Sequence, residues 1–233
     1  MKTISFWHRL LDLISPRSCV ICDRRLSVSE DVICNKCNLH LPRTDYAQNA
    51  FDNEMAKLFW GQIPIERAAA LFHYESHSET ANIIYQLKYK NHPEIGPFMG
   101  RLLAKELQRA DFFDGIDGII PIPLTRKRYR QRGYNQSYEI AKGVSEVTGL
   151  PIYNDAVQRT NFKGSQTRRW RWDRIENVES AFKLANAERI AGKHILLIDD
   201  VVTTGATMIS CAKELSKAGN VKFSTLSLGH TKH

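Results

Sequence analysis

From Ile65 onward the apolar positions change period again and again, so that short strands and amphipathic helices are predicted in alternation. Ala68 to Tyr74 predicts a strand and Thr80 to Tyr89 a helix. Phe98 to Gln108 predicts a second helix, with Phe98, Leu102, Leu103 and Leu107 on its faces. Gly118 to Pro123 is an apolar strand stopped by prolines, which cannot donate to a central ladder. Gln136 to Thr148 predicts a helix ended by Gly149 and Pro151. Lys193 to Ile198 is the most apolar strand, and its unbroken run suits the buried centre of a parallel sheet. A helix over Ala206 to Ala218 is closed by Gly219, and Lys222 to Leu228 is the last strand. Such alternation predicts the α/β class, a parallel sheet covered by helices on both faces.

The chain before Ile65 reads differently. Ile4, Trp7, Leu10, Leu11 and Ile14 lie at helical spacing, which suits a short amphipathic helix packing on the chain or on a partner. His8, Arg9 and Asp12 interrupt it, so neither a signal peptide nor a membrane span is expected. Asn38 to Gly61 is polar and poor in pattern. The expected division is therefore 1–61, a helix, a cysteine module and a linker, followed by a larger domain over 62–233.

Composition adds three things. The chain has 233 residues, 42% of them apolar, enough to bury a substantial core. Its 33 Lys and Arg against 25 Asp and Glu favour phosphorylated ligands and polyanions. Four of the five cysteines form Cys19-x2-Cys22 and Cys34-x2-Cys37, eleven residues apart. Two such knuckles offer four thiolates to one Zn²⁺ in tetrahedral geometry; with its sphere closed, the zinc would be structural and would stabilise a segment too short to form a core. Without a leader peptide a reducing cytoplasm is expected, which favours metal over disulfides. Cys211 is expected to be a buried small apolar residue.

The chemistry concentrates where the apolar strand runs into Asp199-Asp200-Val201-Val202-Thr203-Thr204-Gly205-Ala206-Thr207. Ligands of open α/β sheets bind at the carboxyl ends of strands. The amides of Thr203, Thr204, Gly205, Ala206 and Thr207 can wrap a phosphate at a helix N-terminus, and Gly205 lets the backbone approach. Asp199 and Asp200 can accept hydrogen bonds from ribose hydroxyls and help hold Mg²⁺. The loop is thus expected to hold a ribose 5-phosphate, that of phosphoribosyl pyrophosphate (PRPP) with Mg²⁺. Arg126, Lys127, Arg128, Arg130 and Arg132 follow another strand with no acid among them, and guanidinium forks suit a pyrophosphate leaving group. A second segment, Arg159 to Arg174, interleaves Arg159, Lys163, Arg168, Arg169, Arg171 and Arg174 with Trp170 and Trp172. That pattern fits single-stranded nucleic acid, whose bases stack on indoles while arginines track phosphates. It equally fits a helix with its tryptophans turned inward.

The loop from Ile195 to Thr207 resembles the PRPP signature of the type I phosphoribosyltransferases. In the oxopurine salvage enzymes of that superfamily a third acid, the proposed base, stands where this chain has Thr203, which speaks against hypoxanthine or guanine. Taken together with the four-cysteine module, Pro121-Ile122-Pro123-Leu124, Arg132-Gly133-Tyr134-Asn135-Gln136, Arg159-Thr160, Gln166, Arg174, Asn177 and Phe182, the chain is similar over nearly its whole length to the competence protein F (ComF) family. The resemblance implies a parallel-sheet type I phosphoribosyltransferase domain behind a small zinc module, a role in uptake of transforming DNA, and a helicase-like competence ATPase as partner. It implies a loop over Arg159 to Arg174 that closes on the reaction, and a homodimer. The chain shows no cysteine nucleophile of a glutaminase, so ammonia transfer is not expected. Two readings follow: a PRPP-binding adaptor for single-stranded DNA, or an active transferase, with Asp199 and Asp200 catalytic, acting on an unidentified acceptor.

Overall fold

The computed structural model describes residues 17–160 and 181–232. The predicted leader helix, and Lys163, Gln166, Arg168, Arg169, Trp170, Arg171, Trp172, Arg174 and Asn177, lie outside the described residues. The α/β expectation holds. β1 (Ile65–His73), β2 (Gly118–Pro121), β5 (His194–Val202) and β6 (Lys222–His230) form one parallel sheet in the order β1-β6-β5-β2. A separate antiparallel ribbon pairs β3 (Val157–Arg159) with β4 (Phe182–Leu184).

The central position of β5 follows from its sequence, because Ile195, Leu196, Leu197 and Ile198 are inaccessible on both faces. The strand continues past Ile198, where its end was expected. Asp199 pairs with Ser227, Val201 with Gly229 and Val202 with His230, so β6 extends the ladder through the acid pair. Propensity alone disfavours Asp in a strand, but pairing with the neighbouring strand overrides it.

Two helices cover part of the sheet, α4 (Ile95–Gln108) and α6 (Gln136–Thr148). They cross at glycines. A Cβ on Gly100 would lie 2.2 Å from the Ile140 carbonyl oxygen, and one on Gly143 2.1 Å from that of Pro97. No side chain fits there, so the two backbones touch.

Two segments hold elements for which no prediction was made. The first basic segment is helical: Thr125 accepts a hydrogen bond from the Arg128 N–H and caps the helix α5 (Arg126–Arg132). The polar stretch before Ile65 also holds a helical turn. After the short helix α1 (Asn35–Leu39), Asn53 caps the single turn α2 (Glu54–Lys57) and donates to the Ala68 carbonyl 2.9 Å away, while Met55, Ala56 and Phe59 are buried in the core that the sheet forms. The apolar positions here are too few to show a period, yet one turn places them all on one side.

Candidate functional site

The acids end β5, a strand buried along its whole centre, and so emerge at the carboxyl edge of the sheet. Asp199 Oδ1 accepts from the Ser137 hydroxyl and from the Asp200 N–H, both at 2.9 Å. Asp200 Oδ1 lies 2.8 Å from Lys88 Nζ, at the end of helix α3 (Ala81–Tyr89). Asp199 keeps some accessible surface, yet its carboxyl is enclosed. That burial, and then the charge of Asp200 beside it, raises its pKa to about 7 against the pull of the Asp200 N–H, Ser137 and Lys88.

Immediately beyond lies the loop from Thr203 to Thr207. Thr203, Thr204 and Ala206 are exposed, and α7 (Ala206–Leu215) begins with no side chain capping its N-terminus. Its first amides and its dipole therefore face outward. Gly205 makes the turn possible at φ +73°, a conformation in which a side chain is strained. Its packing forbids one as well, because a Cβ would meet the Phe59 ring at 3.1 Å.

The Arg132-Gly133-Tyr134-Asn135-Gln136 element fixes the groups around the acids. Asn135 accepts from the Ser137 N–H, capping α6, and donates to the Ile122 carbonyl at the end of β2. This sets Ser137 against Asp199. Tyr134 donates its hydroxyl to the Leu87 carbonyl at 2.6 Å, which holds the last turn of α3 and hence Lys88. Arg132 donates to the buried Gln136 amide oxygen at 2.7 Å across the turn between α5 and α6. Sequence reasoning did not single out Lys88 or Ser137. The available signal was that Lys88 lies four residues after Ile84 and next to Leu87, both buried, so a cation there borders an apolar stripe.

The predicted pyrophosphate residues divide. Arg128 and Arg132 line one groove of about 680 Å³ together with Lys88, Tyr89, Asn91, Gln131 and Gly133. Arg126 faces another cavity, of about 520 Å³, which Tyr134, Tyr138 and Arg159 also line. Lys127 is exposed and lines neither. Arg159 lies near both Arg128 and Asp199; burial and Arg128 depress its guanidinium pKa, and Asp199 opposes them.

The four knuckle cysteines converge independently of this. All four Sγ atoms lie within 4.8 Å of one another, and Cys22 and Cys34 are 3.8 Å apart, far beyond a disulfide. Four thiolates at about 2.3 Å from a tetrahedral centre stand roughly 3.8 Å apart, so the cluster suits a metal ion. Glu30 braces the knuckles by accepting from the N–H groups of Ser27 at 2.8 Å and Asn35 at 2.7 Å, which lower its pKa.

No family model matches the chain. It is 29% identical over 218 residues to the DNA utilization protein YhgH of Escherichia coli K12, covering 89% of this chain and 94% of that protein. It is 26% identical over 212 residues to competence protein F of Haemophilus influenzae, covering 86% and 91%. With the competence protein ComFC of Bacillus subtilis it shares 33% over 111 residues, 46% of this chain and 43% of that one. The chain is thus similar over most of its length to DNA utilization and competence protein F proteins. Among solved structures, a glutamine PRPP amidotransferase from B. subtilis superposes with a TM-score of 0.40 at 18% identity, covering 60% of this chain and 30% of that one.

The described residues bring together Asp199, Asp200, the loop over Thr203 to Thr207, Arg128, Arg132 and Arg159. The cysteines form a separate centre. Cys211 is inaccessible and its thiol pKa is pushed far up by burial, in keeping with a packing role.

Proposed function

We propose that this protein binds PRPP with Mg²⁺ and acts in the handling of incoming DNA, as a phosphoribosyltransferase-like adaptor that contacts single-stranded DNA. The observation that carries the reading is a pair of acids ending the central strand and running, through a left-handed glycine, into an uncapped helix N-terminus. The two carboxylates suit the ribose 2′ and 3′ hydroxyls, and the amides of Thr204 to Thr207 suit the 5′-phosphate. The acid pair already draws one cation, the Lys88 ammonium, so the donor set fits Mg²⁺ as well. When bound, Mg²⁺ would neutralise the charge of the pyrophosphate. Asp199 and Asp200 would hold it with the sugar, and Arg128 and Arg132 would face the anion. The four cysteines would hold a structural Zn²⁺. The names of the relatives, competence and DNA utilization, support the cellular side of the reading. The sequence resemblance supports a cytoplasmic location and a helicase-like ATPase as partner.

The test is thermal protection. PRPP with Mg²⁺ at about 100 times its Kd should stabilise the protein by about 2.7 kcal/mol, moving Tm by roughly 5–10 °C. Asp199→Asn/Asp200→Asn should show no shift. Equal shifts in both proteins, or none in the wild type, contradict the reading.

One observation favours the second reading, an active transferase: cationic side chains from α3 and α5 share a groove that opens beside the acids. Pyrophosphate released from PRPP only when a particular base or amine is added, and lost in the double variant, would establish it.

A further inference from the structure

Exposed aromatic rings are poor contributors to a core, and three of the large exposed side chains are tyrosines on two neighbouring helices: Tyr85 and Tyr89 on α3, and Tyr129 on α5. The Tyr85 and Tyr89 rings lie 5.5 Å apart, and cations flank them. Arg132 lies 5.4 Å over Tyr89, and Lys90 5.6 Å over Tyr85. Tyr89 is 63% exposed, so the contact with Arg132 leaves much of the ring open. Beneath it runs the 680 Å³ groove carrying Lys88, Arg128 and Arg132 with no acid in its lining, and Lys88 joins its floor to Asp200. Small-ligand sites fall in about the same range of volume.

We infer that this groove is a stacking platform for single-stranded DNA. One base lies on Tyr89 in the groove and the next on Tyr85 beside it, while Arg128 and Arg132 track the DNA phosphates whenever PRPP is not bound. Open ring faces serve unpaired bases, whereas a duplex hides its own. The surface delivers a strand to the edge of the acid pair. The inference rests on the proposal that the protein handles single strands.

Fluorescence anisotropy with a labelled oligo-dT of about 20 nucleotides tests it, using the full chain. Tyr89→Ala should weaken binding about tenfold or more, since stacking dominates such contacts. Tyr89→Phe should stay within about twofold of wild type, because the ring remains. Arg128→Ala should lower the slope of log affinity against log salt by about one. Wild-type binding that Tyr89→Ala and Tyr85→Ala leave unchanged would overturn the platform while leaving DNA handling intact. If the wild type fails to bind the oligonucleotide, the broader proposal falls with it.

Discussion

At the scale of single residues, the Asp199 carboxyl sets the pH behaviour of the site. Its pKa is raised to about 7 in the folded protein, above the ordinary carboxylate value that holds when the chain is unfolded. A raised acid favours the protonated folded state. Its stabilising contribution is complete below about pH 4 and is lost as pH rises through about 7. The ligand-free protein should thus lose stability between about pH 4 and pH 7. Asp199→Asn should flatten that loss by about 2 kcal/mol, roughly 4–8 °C in Tm at pH 8. Parallel pH profiles for wild type and variant would contradict the enclosed carboxyl. The acids themselves were legible in the sequence, since two acids directly after an apolar run have few other uses. Ser137 and Lys88 were not, because each reaches Asp199 or Asp200 from a different helix and the pairing leaves no local pattern.

Elements were legible where their periodicity was strong. The helix over Gln136 to Thr148 has its predicted bounds, fixed by the Asn135 cap and Gly149. Ends were read less well where a neighbour decides them, as when β6 carries β5 on through Asp199 to Val202. No apolar period marks Arg126 to Arg132, so α5 and its Thr125 cap were not legible. The glycine crossing of α4 and α6 yields a sharper expectation. Gly143→Ala should cost about 1–3 kcal/mol by forcing these helices apart. Because α6 also carries Ser137, the same variant should weaken PRPP binding without touching a ligand-facing group. Denaturation and PRPP titration of one preparation check both, and unchanged stability would show that the helices do not cross so closely.

Over the whole molecule, the cysteine module and the sheet are mechanically joined. Arg43, just after the knuckles, donates to Glu106 on α4, with a shortest contact of 2.7 Å. Phe59 packs under Gly205 in the loop that follows the acid pair. The sequence showed two regions but not this bond between them, since a few buried side chains in a polar stretch carry no periodic signal. Metal analysis should find one zinc per chain, and chelation or Cys22→Ser should lower Tm and weaken PRPP binding together. Chelation that leaves both unchanged would remove zinc from the account.

The account's central claim is that the acid pair and the first turn of α7 hold PRPP, and a crystal structure with PRPP and Mg²⁺ tests it most directly. The expected result is a 5′-phosphate within hydrogen-bond distance of the Thr204 to Thr207 amides, ribose hydroxyls on Asp199 and Asp200, and Lys88 withdrawn from Asp200. PRPP bound elsewhere, with the Lys88–Asp200 pair intact, would contradict it.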